Sequence, residues 1–353
     1  LISSTATLLI MGSIFTILVA YSQKSASDQS RVRQVQESRF LLNIMSSDLK
    51  NAGSVITLAH TGGFLRANPY INGFYPLNNT DFPDGIIIAS GDPDAVSKLT
   101  ATFTPTSGND IFVDSVNDLN GDVMWAVGDV GIVLGTNGYY VFKVEAIPST
   151  SDQLTKRDEA VYFSGLLDTD NYLDDHEGTT DVGEDIDFPE GAPVIRLSNF
   201  SIYMVRQQYD NDLRRQRRDV MRMVDAFGQA DALNNKDVDI YVIAENIWDF
   251  QIGYLDYPDF PDITTKREFF MPNSTSLETM ASLMISIQNR TIKEINMNIV
   301  ALTNNLQGTG NPRALNVPAI GDMAAYTIPS SDMTFDFKLY QLTVDLRNLN
   351  ISL

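Results

Sequence analysis

The N-terminal segment constrains the fold more than any other part of the chain, because no Asp, Glu, Lys, Arg or His occurs before Lys24. A helix over this run would be about 34 Å long, which is sufficient to cross the hydrocarbon core of a bilayer. Ser, Thr and Gly are interspersed among the apolar residues and favour close contact between helices. The sequence therefore predicts a membrane-compatible helix over its first residues.

A cleavable secretory signal is the alternative interpretation of this run. Such a signal has a basic region before the apolar run and a small-x-small cleavage site after it. The sequence shows no basic region ahead of the run and no such cleavage site after Ala20. A chain that starts at Leu1 is instead expected to have lost a short leader before the apolar run. We therefore expect the apolar run to be kept.

The helical pattern continues beyond the apolar run, since neither Pro nor Gly occurs from Tyr21 to Lys50. Apolar residues recur there at helical spacing, which predicts one stripe that packs on a folded domain. The stripe consists of Val32, Val35, Leu41, Leu42, Met45 and Leu49, flanked by Phe40 and Ile44. Because residues 51–53 supply a C-terminal stop, residues 2–50 are predicted to form one helix about 70 Å long.

After Gly53 the pattern changes to short β-type runs separated by Gly, Asn, Asp and Pro. This pattern predicts an α+β fold with the long helix packed on an antiparallel β-rich globular head. The expected strands are 85–89, 110–113, 130–134, 139–147, 194–206, 239–243, 248–254, 291–302 and 334–346, with a short helix over 277–288. We expect three units, namely the helix over 1–53 and two lobes of the head over 54–190 and 191–353.

The composition excludes several classes of function. The chain has no cysteine, which rules out disulfides, thiol nucleophiles and Cys-ligated metals, and its two histidines lie far apart. The formal net charge of −20 is unfavourable for binding nucleic acid, which depends on basic residues that neutralise phosphates. No phosphate-binding loop or nucleophile elbow occurs. We therefore expect a protein that is not an enzyme and does not bind nucleic acid.

Two segments of opposite charge lie within the predicted head. Residues 168–190 contain ten acidic residues and no Lys or Arg, whereas residues 213–222 contain five Arg. A solvated insertion is the preferred interpretation of the acidic segment, with a calcium loop or an interaction surface as alternatives. The basic segment is expected to be an edge strand or a hairpin arm that meets carboxylates of the same or a neighbouring copy. The contacting residues would be Arg214, Arg215, Arg217 and Arg218, and we expect the two charged segments to approach each other.

Residues 118–129 have part of the pattern of a calcium-binding loop. Asp118, Asn120, Asp122 and Asp129 occupy positions that supply oxygen ligands in an EF-hand loop. However, Val123 stands where the sharp turn of that loop requires Gly. The simpler interpretation is an Asn-Gly turn that leads into a strand over 124–127, followed by a turn at residues 128–129. Calcium is therefore the less favoured interpretation, and no other cofactor is expected.

Three motifs resemble those of a known family, the type IV pilins, and most closely the PilW-type minor pilins. Residues 36–42 (Gln-Glu-Ser-Arg-Phe-Leu-Leu) with residues 48–53 (Asp-Leu-Lys-Asn-Ala-Gly) resemble the family signature Gln-Glu-x-x-Arg-Phe … Asp-hydrophobic-Arg-x-Ala-Gly. Residues 244–254 are similar to its Val-Glu-x-Val-x-x-Leu-x-Val-x-Tyr segment, and residues 343–348 to its terminal Thr-x-x-Leu-Arg-Asn motif. The motifs follow in the family's order and cover most of the chain.

The resemblance implies how this protein would act. A prepilin peptidase would remove the leader, and the helix would anchor the precursor in the inner membrane. The helix would later pack with other pilin subunits in the core of an extracellular surface filament. The implied assembly core comprises Leu1, Thr5, Leu8, Leu9, Ile10, Ile14, Phe15, Ile17 and Leu18. The residues implied to pack the helix on the head are Val35, Leu42, Met45 and Leu49.

Two departures from the family pattern bear on the role of this subunit. Leu1 and Thr5 stand where family members usually have Phe or Met and Glu, and the cysteine pair common near pilin C-termini is missing. The family Glu is thought to neutralise a neighbour's α-amino group, whereas Thr5 could only form a neutral hydrogen bond. We expect a minor pilin that primes or tips the filament. The alternatives are the repeating subunit of its own filament, a pseudopilin of a type II secretion-like system, or an unrelated membrane-anchored carbohydrate-binding or hydrolytic β domain.

Overall fold

The computed structural model describes the long N-terminal helix and most of the predicted strands. The described residues are 2–56, 73–77, 85–105, 108–117, 121–135, 139–148, 152–156, 187–210, 215–224, 239–259, 264–270, 291–304, 315–317, 326–328 and 335–346. The short helix expected over 277–288 lies outside them.

The predicted N-terminal helix is confirmed as α1 (Ile2–Asn51), a single α-helix of 50 residues. It ends where the sequence predicts a stop, because Gly53 adopts a positive φ of 70°. The Gly53 backbone N–H donates a hydrogen bond to the carbonyl of Ala89 at 2.9 Å. The chain therefore passes from the helix directly onto the head.

The larger sheet is antiparallel and has nine strands. They are β1 (Phe74–Leu77), β2 (Gly85–Lys98), β3 (Asp110–Phe112), β4 (Val130–Leu134), β5 (Tyr139–Ala146), β6 (Gln153–Lys156), β7 (Pro193–Asp210), β8 (Arg215–Val224) and β9 (Asp239–Ala244). The main order is β1-β2-β7-β4-β5-β6-β3. Strand β7 pairs with β2 along one edge, and with β4 and then β8 along the other.

The second sheet has four antiparallel strands in the order β11-β10-β12-β15. Its strands are β10 (Ile247–Asp256), β11 (Arg267–Phe270), β12 (Ile292–Asn304) and β15 (Phe335–Asp345), and a separate pair comprises β13 (Leu315–Val317) and β14 (Tyr326–Ile328). Tyr340, Leu342 and Val344 all pack toward the same hydrophobic cluster. Every second residue in this part of β15 therefore faces the core.

One expectation about local structure is wrong. Residues 124–127 form no strand, and only Asn117 and Val123 make an isolated bridge there. Within the basic segment, residues 215–219 pair with β7 alone among the described strands, and β9 pairs only with residues 220–224 of β8. The alternative interpretation of that segment as a hairpin arm is confirmed, since β7 and β8 run antiparallel on either side of residues 211–214.

The described core residues include two hydrophobic clusters. One joins the C-terminal half of α1 to both sheets and includes Leu41, Met45, Tyr203 and Met297. The other lies within residues 95–194, and in it Trp125 stacks on Phe142 with ring centroids 5.9 Å apart. Strands β2 and β7 contribute to both clusters, so the two clusters share strands. The expected division of the head into lobes over 54–190 and 191–353 stays a prediction.

Candidate functional site

The most conspicuous surface is the exposed apolar part of α1 over residues 7–21. Leu8 is 70% exposed and Phe15 is 69% exposed. The large exposed side chains are Leu8, Leu9, Ile10, Met11, Ile14, Phe15, Ile17, Leu18, Val19 and Tyr21. A contiguous apolar surface of this kind marks contact with a membrane or with another protein. Of the other expected core residues, Leu1 and the side chain of Thr5 lie outside what the structure describes.

By length and composition, one helix among the described residues is apolar enough to cross a membrane. This helix spans Thr7–Asn51, and none of its most apolar stretch of 18 residues is buried. Both a retained membrane anchor and a signal sequence meet this criterion.

Two hydroxyl groups within the exposed segment form hydrogen bonds with the backbone of the helix itself. The Ser13 hydroxyl donates to the carbonyl of Leu9, and the Thr16 hydroxyl to that of Gly12, each at 2.8 Å. These hydroxyls therefore have a hydrogen-bond acceptor without water. The segment is suited to apolar surroundings despite its polar residues.

The C-terminal half of α1 is docked on the head by a buried face. Leu42, Met45 and Leu49 are buried and Val35 is half-buried, and α1 contacts β2, β9, β12 and β15. Val32, expected on this stripe, is instead 56% exposed.

The docked face continues toward the N-terminus through polar residues, whose burial the apolar periodicity of the sequence does not predict. Ser27, Gln34 and Ser38 are all buried. Their spacing of seven and four residues continues the face of Leu41 and Met45, because a helix repeats every ~3.6 residues. In the sequence, only this helical spacing indicates that the three polar residues are buried.

Asp48 anchors the end of α1 to the larger sheet. Its Oδ2 accepts a hydrogen bond from the Tyr203 hydroxyl at 2.5 Å and one from Arg222 Nη2 at 2.9 Å. Burial raises the pKa of Tyr203, and the Asp48 carboxylate raises it further. Tyr203 therefore stays protonated and acts as the donor. These contacts join the helix to β7 and β8.

A second polar cluster holds the turn between β9 and β10 against α1. Arg33 Nε pairs with Glu37 Oε1 at 2.6 Å, and Arg33 Nη2 pairs with Glu245 Oε2 at 3.1 Å. The Glu245 backbone N–H donates to Glu37 Oε2 at 3.2 Å. Because the Arg33 side chain is 67% exposed, its pairs contribute little stability. Their geometry nevertheless fixes where the turn meets the helix.

The described arginines of β8 have partners within their own chain. Arg217 pairs with Asp219 at 2.8 Å, and Asp219 Oδ1 also accepts the backbone N–H of Asn246 at 3.3 Å. Arg218 donates to the carbonyl of Trp248 at 2.8 Å and lies over its ring at 4.9 Å.

The remaining parts of the charge prediction lie outside the described residues. They are Arg214, the side chain of Arg215 and the acidic residues 168–186. At the described end of the acidic segment, Asp187 accepts a hydrogen bond from Thr104 at 2.5 Å. The approach of the two charged segments stays a prediction.

The proposed calcium loop is only partly described. Asp118 and Asn120 lie outside the described residues, and Asp122 is exposed. Asp129 Oδ2 accepts the backbone N–H of Ala126 at 2.7 Å and pairs with Arg196 at 3.4 Å. Within the part of the chain that the structure describes, no three acidic or His side chains form a group able to hold a metal ion. Calcium binding stays a prediction.

No protein-family model, curated protein or solved structure matches this chain. The exposed apolar segment and the contacts that dock α1 are therefore the features on which a function can be argued.

Proposed function

We propose that this protein is a non-enzymatic structural subunit of an extracellular type IV pilus-like filament, with a PilW-like role in priming or tipping it. A prepilin peptidase prepares the precursor, the inner membrane holds it by α1, and other pilin subunits then bury the same surface. The observation that carries the proposal is the exposed apolar surface at residues 8–18 on a helix whose other half is docked on the head.

Burial of this surface supplies a driving force for assembly. Each large apolar side chain contributes about 1.5–3 kcal/mol when it is fully buried, and ten such side chains are exposed over residues 8–21. Full burial of all ten would match or exceed the ~4–15 kcal/mol cost of bringing two molecules together. The described segment has no side chain that is charged at neutral pH before Lys24, so burial of its side chains leaves no charge unpaired.

The docking contacts support the same proposal. Glu37 lies in the first pilin-like motif and Glu245 in the second, and the two meet through the 3.2 Å hydrogen bond. Asp48, from the same signature as Glu37, binds β7 and β8. Val344 of the third motif belongs to the cluster beneath α1. Residues that carry the resemblance thus lie at or near the joint between helix and head, where a filament subunit must be rigid.

A charge placed in the apolar segment tests the proposal. Ile14→Asp should reduce the fraction of the full chain recovered in filaments sheared from the cell surface about a hundredfold, because a carboxylate buried among apolar helices costs about 3 kcal/mol. The unfolding transition of the head, followed by tryptophan fluorescence, should be unchanged. Val127→Asp is the matched control, since Val127 is an apolar residue of the head that is 66% exposed, against 52% for Ile14. Wild-type assembly by Ile14→Asp would contradict the proposal.

A further inference from the structure

The hairpin formed by β7 and β8 extends beyond its neighbours in the larger sheet. Among the described strands, β2 pairs with β7 only as far as Tyr203, and β9 pairs with β8 only from Val220 onward. Residues 204–210 and 215–219 therefore pair with each other alone in that set. Residues 204–219 include five Arg and three Asp, in a chain whose net charge is −20. We call residues 204–210 and 215–219 the basic arm.

The basic arm is directed toward the N-terminal end of α1. Arg222, near the end of β8, pairs with Asp48 at 2.9 Å. Five residues earlier, Arg217 Nη1 lies 3.8 Å from Glu245 Oε1, and Glu245 Oε2 pairs with Arg33 at 3.1 Å. The strand covers ~17 Å between its two contacts, and the helix covers ~22 Å between Arg33 and Asp48. Strand β8 therefore runs alongside α1, with its first residues nearest the apolar segment.

The arm comes close to the level at which a membrane would end. The head buries α1 as far as Ser27, which is only ~9 Å along the helix from Tyr21. Arg33 is ~18 Å from Tyr21, and Arg215 precedes Arg217 on β8 by ~7 Å. The backbone of Arg215 thus lies ~11 Å beyond the level of Tyr21. Lipid headgroups occupy about 5–8 Å outside the hydrocarbon, and their charge acts over a further ~8 Å at physiological salt.

The exposed charge at this end of the head is mainly positive. The exposed basic residues here include Lys24, Arg31 and Arg206, whereas Asp28 is an exposed acid. Three further carboxylates already pair with Arg33 or Arg217, namely those of Glu37, Asp219 and Glu245. An acidic chain therefore presents positive charge where it comes nearest to the bilayer.

We propose that the basic arm binds anionic lipid headgroups of the membrane that holds α1 before assembly, and that this contact orients the head on the bilayer surface. The inference rests on the proposed function, because it requires the apolar segment to span a membrane in the precursor. It names a partner for residues 204–219, which the apolar segment alone does not assign.

The distribution of charge explains why one orientation is favoured. A chain with a net charge of −20 is repelled by an anionic surface over most of its own surface. Each Lys or Arg close to such a surface instead favours binding by about fivefold. Turning the basic arm toward the headgroups and the acidic remainder away is thus the orientation of lowest electrostatic energy.

Fluorescence quenching by lipids in vesicles tests the contact. The chain has no cysteine, so a cysteine introduced by Gln216→Cys carries the only thiol-reactive fluorophore, and the lipids carry a nitroxide quencher on their headgroups. Val127→Cys is the control, because Val127 is 66% exposed and the nearby Asp129 pairs with Arg196, which lies ~34 Å before Arg206 along β7. The vesicles consist of phosphatidylcholine alone or of an equal mixture with phosphatidylglycerol.

The ratio of quenched to unquenched label at residue 216 should be at least about fivefold higher in the mixture than in phosphatidylcholine alone. It should fall again at high salt, and the label at residue 127 should stay unquenched. A label at residue 216 that is quenched no more than the control, or equally in both kinds of vesicle, overturns this inference and leaves the proposed function standing. Failure of the full chain to float with either kind of vesicle overturns both.

A charge variant tests the contribution of the arm itself. Arg206→Gln, with the label at residue 216, should lower the ratio of quenched to unquenched label about fivefold in the mixed vesicles. Lys98→Gln is the matched control, because Lys98 is exposed and pairs in register with Pro193, ~44 Å from Arg206 along β7. Equal ratios for the two variants overturn the assignment of lipid binding to the basic arm.

Discussion

Asp48 shows how one side chain joins the helix to the head. The sequence placed it in a pilin-like signature, but its partners Tyr203 and Arg222 are 155 and 174 residues away along the chain. No local pattern links residues at such separations, because only the pairing of β7 with β8 brings Tyr203 and Arg222 side by side. Burial of Leu42 and Met45, in contrast, follows from helical periodicity alone.

Replacing Asp48 should loosen this joint. Asp48→Asn should lower the free energy of unfolding by about 1–3 kcal/mol, because it leaves the half-buried Arg222 guanidinium without its carboxylate. Urea unfolding of the full chain in detergent, followed by tryptophan fluorescence, measures the change. Asp94→Asn removes an exposed carboxylate and should change the free energy by no more than about 0.5 kcal/mol. Equal effects of the two variants would contradict the assigned role.

The pair formed by Asp92 and Arg196 predicts a dependence of stability on acid. Burial alone would raise the pKa of Asp92, but hydrogen bonds from Arg196 and from the Asp94 backbone, with the charge of Arg196, hold it below its usual range. The Asp92 carboxylate therefore stabilises the fold above its ordinary pKa of about 4, and this contribution is lost as the pH falls through the lower folded value. The free-energy difference between wild type and Arg196→Gln should shrink below about pH 4. A difference independent of pH would refute the coupling.

At the scale of elements, the sequence predicted most strands because their alternation and turn residues are local signals. Strands β1, β6, β11, β13 and β14 were missed, since each has only three or four residues. The prediction of a strand over 124–127 was wrong for a different reason. Trp125 is buried by stacking on Phe142, so the apolar residues there pack in a core without belonging to a ladder.

The junction between α1 and the larger sheet depends on two glycines. A Cβ atom added at Gly73 would lie 1.8 Å from the Gly53 backbone nitrogen and 2.5 Å from the Ala89 carbonyl oxygen. Both are backbone atoms, which cannot move aside as the end of a flexible side chain can. The close approach of these segments therefore requires glycine at residue 73.

Alanine substitutions at Gly73 and Gly191 distinguish the cost of this close backbone contact from the cost of a positive φ. Gly191→Ala should cost about 1–2 kcal/mol, because Gly191 has a positive φ of 86° but no atom within 4 Å of an added Cβ. Gly73→Ala, at a φ of 72°, should cost several kcal/mol more, because the backbones must also move apart. Thermal unfolding of both variants measures the difference, and similar losses would argue against the close approach.

At the scale of the whole molecule, the apolar run predicted an exposed helix and the structure has one. The sequence could not predict which strands support it, because α1 contacts β2, β9, β12 and β15, which come from widely separated parts of the chain.

The most direct test of the proposed function is electron cryomicroscopy of filaments that contain the full chain. The account predicts that Leu8, Ile14 and Leu18 contact the apolar helices of neighbouring subunits near the filament axis, with the β-rich head outside. It would be contradicted by a chain that stays in the bilayer without any contact to another subunit's helix, or by one that joins the filament through its head while residues 8–18 stay exposed.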